Sequence, residues 1–169
     1  ADFAVSTADS RMDVDVLHHS KRAVLDWFAS LYPGTREPVA MNLAAAHADE
    51  RNLGKSSLPG FGATSLPATA AWINGTSSHA VEFDDIFKDA VYHPGVPTVA
   101  SALAVGEHIG ASGADFLRAI MVGYEVSTRI GAAVQPSHYH YFHTTGTIGS
   151  FASAAAAASL LAPTSRDVM

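Results

Sequence analysis

An all-α fold is predicted by three features of the 169-residue sequence. Apolar residues recur at helical spacing in segment after segment, and alternating strand patterns are almost absent. Two segments are also unusually rich in Ala, Gly and Ser: one holds Ala70, Ala71, Gly75, Ser77 and Ser78, the other covers nearly everything over residues 152–159. Small side chains let helix axes approach closely, so these two helices are expected at the centre of a multi-helix domain. With 48% hydrophobic and 15% charged residues, the chain lies far from the composition of disordered segments. Its length suits one domain with a proper core.

The elements follow in order. Asp13 or Asp15 caps a helix to about Leu31, with Leu17, Val24, Phe28 and Leu31 on one face and Pro33-Gly34 as its stop. A shorter helix is expected over residues 38–50. Gly, Ser and Pro make residues 53–65 a loop with room for a short strand. Pro67 suits the first position of a helix through about Phe83. Residues 84–95 lack a helical period and read as a loop, after which Pro97 opens a helix closed by Gly110. Ser112 and Asp115 form a capping-box-like start for an amphipathic helix to about Val134. A polar, aromatic loop over 135–143 precedes a helix of small residues that opens at Thr144 or Thr145 and ends before Pro163. Residues 162–167 read as a helix stop followed by a new cap, which predicts an incomplete part of a larger helical domain.

Charge and cysteine content remove several function classes. Lys+Arg 10 against Asp+Glu 16 gives a net charge of −6, the wrong sign for a nucleic-acid or anionic-membrane surface. With no cysteine, thiolate zinc sites, iron–sulfur clusters, disulfides and cysteine nucleophiles are excluded. The acidic N-terminal stretch does not read as a secretory signal, and the apolar run over 152–162 is too short to span a bilayer. The sequon Asn74-Gly75-Thr76 is read as chance. The expectation is a soluble cytoplasmic protein, or one of the mitochondrial matrix if the source is eukaryotic.

Three places carry chemistry-bearing residues. Glu82-Phe83-Asp84-Asp85 crowds three carboxylates at a predicted helix end just after His79, where the helix dipole disfavours them. Crowding of this kind raises a carboxyl pKa for acid–base work, and a solvated acidic loop is the plainer reading. His93, held extended before Pro94-Gly95, suits an acid, a base or an anion donor, or else a loop histidine satisfied by a carbonyl. His138, His140 and His143 run into Thr144-Thr145-Gly146-Thr147-Ile148-Gly149. Free backbone N–H groups of Thr145, Gly146 and Thr147 at a helix start, with His143 beside them, make an anion site that fits a carboxylate better than a nucleotide. A metal held by the three histidines and a simple structural cap are the other readings there. Trp27, Phe28, Trp72 and Phe151 are expected in the core, with Gly106, Gly123 and Gly131 permitting close helix contact.

Four motifs in order resemble the MmgE/PrpD family over about residues 15–162. They are Asn74-Gly75 with His79-Ala80 and Asp84-Asp85; His93-Pro94-Gly95; Gly123-Tyr124-Glu125-Val126 with Arg129-Ile130-Gly131; and Phe142-His143-Thr144-Thr145-Gly146-Thr147-Ile148-Gly149. The resemblance implies one partial helical domain over 1–169, with the family's smaller lid domain absent. It implies proton transfer next to a carboxylate of a small di- or tricarboxylate, without a metal or organic cofactor. The family's acidic motif falls on Glu82, Asp84 and Asp85, and its two site histidines fall on His93 and His143. A dehydratase- or decarboxylase-type lyase is expected ahead of an epimerase of the iminodisuccinate type. Ile86 stands where many members carry Thr, and the loop over 86–92 is one residue longer. The family's active-site lysines lie beyond residue 169, so a non-catalytic split subunit or remnant is a further alternative. The expected partners are a polycarboxylate substrate and either a second copy of the chain or a complementary chain that carries the lysines.

Overall fold

A computed structural model describes residues 12–161 together with Phe3 and Thr7. The expected new cap at Thr164 lies outside the described residues. Among the described residues there are six α-helices and one small β-hairpin, predominantly helical as the sequence predicts. Helix α1 (Val14–Gly34) is capped by Asp13, whose carboxylate accepts from the Asp15 backbone N–H at 2.8 Å. It continues past Leu31 to Gly34, beyond the expected stop. Pro33 sits in the last turn, where its missing N–H forfeits a single bond, and Thr35 N still donates to Leu31 O at 3.0 Å.

Helix α2 (Pro38–Ala46) ends earlier than expected, and a 3₁₀ turn at Ala48–Glu50 follows. That tighter turn lets Glu50 accept from the Thr69 hydroxyl near the start of the next helix. Strands β1 (Ser56–Leu58) and β2 (Ala63–Ser65) pair antiparallel, with Ser56 opposite Ser65. Helix α3 (Pro67–His79) stops four residues before the expected Phe83, and Glu82 takes a left-handed φ of 50°. The carboxylates at 82–85 therefore lie in a loop beyond the helix. Helix α4 (Gly95–Ile109) begins two residues before Pro97, and Gly110 at φ 71° closes it. Ser112 caps α5 (Gly113–Val134) by accepting from Asp115 N. Helix α6 (Thr144–Leu161) follows a 3₁₀ turn at His138–His140.

The main core joins α1, α4, α5 and α6 through Trp27, Leu31, Val99, Ala102, Ile120 and Ala156. Helix α3 packs on α1 and α4 and is central, as its small residues predict. Helix α6 packs on α4 and α5 with one face only. On its other face Phe151 is 52% exposed, and Trp72 on α3 is 59% exposed, so neither is the core aromatic expected. Both extend from the outer side of a helix whose small residues occupy the packed side. Gly123 and Gly131 do allow close contact, against Thr98 and Ala90, whereas Gly106 faces only Ala111 at ordinary distance. Asn74 is buried and donates to Ser57 O at 2.8 Å, which removes the sequon from solvent. Among the described residues no helix is long and apolar enough to cross a membrane.

The tightest helix contact lies between α1 and α3. A Cβ on Gly34 would stand 1.8 Å from Ser77 O, a backbone atom that cannot swing away. Gly34→Ala is expected to destabilise the fold by about 2 kcal/mol or more. Gly113→Ala, whose added carbon meets nothing within 4 Å, is expected to match or exceed the wild type. Urea unfolding of the two variants checks the contrast.

Candidate active site

The loop between α3 and α4 is built around two adjacent carboxylates that point to different partners. Asp85 is tied to three helices. Its backbone N–H donates to the Asp26 carboxylate of α1 at 3.0 Å. Its own carboxylate accepts from Gly95 N of α4 at 3.0 Å and from the Tyr124 hydroxyl of α5 at 2.8 Å. This explains the early start of α4, because Asp85 satisfies a free N–H of its first turn. Gly95 is required there: a Cβ would fall 2.6 Å from Asp85 Oδ1 and 2.9 Å from the Tyr124 hydroxyl. Burial raises the Asp85 carboxyl above the ordinary range, opposed by the bonds from Tyr124 and Gly95 and reinforced by Asp26 and Asp84. Burial also pushes the Tyr124 hydroxyl up, as do the charge of Asp85 and the bond to it.

Asp84 faces the other way and is only 6% exposed. Its carboxylate lies 3.0 Å and 3.2 Å from His79 Nδ1 through its two oxygens, and 3.1 Å from His93 Nδ1. The contact to His79 has hydrogen-bond geometry. That to His93 has the distance without the direction, and the buried His93 Nδ1 is left with no aligned partner. The His79 and His93 ring centres are 4.8 Å apart, and the His143 ring centre lies 6.4 Å from that of His79. The hydrogen bond from Asp84 raises the His79 pKa above its usual value, with desolvation opposing and the charges of Asp84 and Glu82 assisting.

The residues singled out in the sequence take different positions. His93, Asp84 and, through His79, His143 come together. Asp85 is adjacent but turned to the helix tie. Glu82 is exposed and acts on His79 only as a nearby charge. Thr145 is buried, and its hydroxyl accepts from His93 N at 3.2 Å, which anchors the His93 backbone to the start of α6. Gly146 is exposed beside the His143 ring, and the Thr147 hydroxyl meets His138 Nε2 at 2.7 Å.

His138, His140 and His143 do not form a metal-ligand group among the described residues; the ligand atoms with such spacing belong to His79, Asp84 and His93, within 4.8 Å of one another. Two donors around a tetrahedral zinc stand about 3.4 Å apart, given zinc–ligand bonds of about 2.1 Å. The nitrogen–oxygen distances of 3.0 and 3.1 Å are shorter and suit direct contact between imidazole and carboxylate.

The model of the MmgE/PrpD N-terminal domain matches residues 1–169, the whole chain. The chain belongs to the MmgE/PrpD family. Curated MmgE/PrpD-like relatives include the cis-aconitate decarboxylase-like protein oryM of Aspergillus oryzae, 32% identical over 90% of this chain and 33% of that protein. The cis-aconitate decarboxylase of Aspergillus terreus is 28% identical over 94% of this chain and 34% of its own length. The human cis-aconitate decarboxylase is 32% identical over 82% and 31%. The chain thus spans about a third of the length of the curated relatives it matches.

Sequence reasoning passed over His79, Tyr124 and Asp26 as members of this arrangement. His79 lies in the same motif as Asp84, and five residues separate them, so the only available signal was that a turn after the helix would bring the ring back over the carboxylate. Tyr124 lies in the third motif, but nothing in the sequence paired it with Asp85, and Asp26 lies in none of the motifs. Tyr124→Phe leaves one oxygen of a buried carboxylate without its donor, a loss of about 1–3 kcal/mol. Because folding raises the Asp85 pKa, the fold loses stability as Asp85 ionises with rising pH, and the bond from Tyr124, which favours the ionised form, offsets part of that loss. The cost of Tyr124→Phe is therefore expected to be full at neutral pH and to shrink in acid, which unfolding curves across pH will read.

Proposed function

We propose that the chain supplies the histidine side of an active site for proton transfer next to a carboxylate, in a lyase acting on a small di- or tricarboxylate. The observation that carries this reading is the buried Asp84 carboxylate in contact with the Nδ1 atoms of both His79 and His93. In His79 the Nδ1 atom is hydrogen-bonded to the carboxylate, and in His93 it lies buried 3.1 Å from it, so in each ring the opposite atom, Nε2, is the one left to a substrate. For His79 this is the contact by which a carboxylate fixes an imidazole tautomer and raises its pKa. The names of the relatives favour decarboxylation over epimerisation, and cis-aconitate is the first substrate to test. In such a step the bond to the departing carboxylate carbon breaks, CO₂ leaves, and the electron pair left on carbon takes a proton from an imidazolium. His93 is proposed as that proton donor, with His143 and the backbone donors of Thr145 and Gly146 holding another carboxylate of the substrate; the Thr147 N–H, expected to be free, donates to His143 O at 3.2 Å instead. Asp84 and Asp85 hold the machinery in place, and Glu82 adds negative charge near His79.

The remaining parts of the site, including the lysines implied by family resemblance, are proposed to come from outside these residues, within a longer chain that pairs with a second copy. The test is CO₂ release and deuterium uptake from D₂O by the whole protein supplied with cis-aconitate and related polycarboxylates. His93→Ala and His143→Ala are each expected to lower the rate by about 100-fold or more. An unchanged rate in His93→Ala, or no turnover of any polycarboxylate by the whole protein, would overturn the reading.

A further inference from the structure

Three features single out His79, the ring that sequence reasoning left without a role. Its ring is close to both other histidines, with ring centres at 4.8 Å from His93 and 6.4 Å from His143. It holds the aligned hydrogen bonds to Asp84, while the buried Nδ1 of His93, 3.1 Å from the same carboxylate, has no aligned acceptor. It is also the sole titratable side chain on the wall of a groove of about 470 Å³ bordered by Trp72, Gly75, Val96, Pro97 and Ser153. A ligand in that groove would meet His79 before any other charged group of the site.

Asp84 Oδ2 lies 3.0 Å from His79 Nδ1 and 3.1 Å from His93 Nδ1 and is aligned with the first alone, so a rotation of Asp84 toward His93 would bring the second ring into the same bond. Two imidazoles 4.8 Å apart also resist carrying positive charge together. We propose that His79 is the partner of His93 in the site: the two rings share Asp84 and hold one extra proton between them, so that one is an acid while the other is a base. The functional meaning rests on the proton-transfer reading above; the sharing itself does not require substrate. The groups facing His79 are Asp84 and Glu82 from the loop, His93 at the start of α4 and His143 at the start of α6. Helix α2, which packs on α3, carries no titratable side chain, and the Asp26 carboxylate of α1 is directed to Asp85. Glu50 reaches α3 only at Thr69, ten residues or about 15 Å along the helix from His79.

The experiment is a pH titration of the full chain labelled with ¹⁵N-histidine, followed through long-range proton–nitrogen spectra between about pH 5 and 9. In the wild type the His79 ring is expected to trace two inflections, one of its own and one as the second ring takes its proton. In His93→Gln, which leaves Asp84 to His79 and removes the facing cation, the curve is expected to become a single step at higher pH. In Asp84→Asn it is expected to move to lower pH. A single-site His79 curve in the wild type overturns the proposal, and so does a His93→Gln curve that superimposes on the wild type. If the variants fail to fold, the wild-type curve decides alone. No substrate enters this titration, so loss of the coupling and loss of lyase activity are separate outcomes.

Discussion

Asp85 is the constraint on which the site depends. Through its backbone and its two carboxylate oxygens it ties the loop after α3 to Asp26 of α1, Gly95 of α4 and Tyr124 of α5. Each bond is modest by itself, about 1 kcal/mol net, and those to the ionised carboxylate are stronger. Their combined effect is geometric. Three helices that meet in the core also meet at one side chain, so the loop cannot shift relative to any of them without leaving a part-buried carboxylate short of a donor. Each lost donor would cost about 1–3 kcal/mol.

With Asp85 fixed, its neighbour Asp84 points the opposite way, into the cleft between His79 and His93. The two adjacent carboxylates solve the burial problem differently. Asp85 is satisfied by uncharged donors and has a structural position. Asp84 is satisfied by imidazoles, whose own charge depends on pH, and this makes it the chemically responsive member of the pair. Thr145 completes the arrangement by holding the His93 backbone to the first turn of α6, which places His143 and the free N–H groups of that turn on the same side.

Close helix packing makes these approaches possible. Gly34 lies against Ser77 at a distance that excludes any side chain, and Ser77 is two residues from the end of α3 at His79. The Ala, Gly and Ser content of α3 is thus tied to the site: it allows α1 and α4 close enough for Asp26 and Gly95 to reach the same loop residue. The outer faces carry Trp72 and Phe151, more than half exposed, in a chain that spans about a third of its relatives' length.

The sequence by itself determined the helical class, the caps at Ser112 and Gly110, a first cap at Asp13 or Asp15, and the three clusters in which the site residues lie. These are local properties: apolar period, capping chemistry and backbone freedom act within a few residues, so they are readable without the fold. The family, too, was legible, because four motifs appear in order. Only the tertiary structure decided that α3 ends at His79, that Asp84 and Asp85 part company, and that His79 rather than Glu82 joins His93. It also turned Trp72 and Phe151 outward and kept His138 and His140 out of any ligand group with His143 among the described residues. The physical reason is common to all of these. Each depends on which distant group supplies a hydrogen bond or excludes water, and Asp26, Gly95, Tyr124 and Thr145 are brought to the loop only when the helices pack.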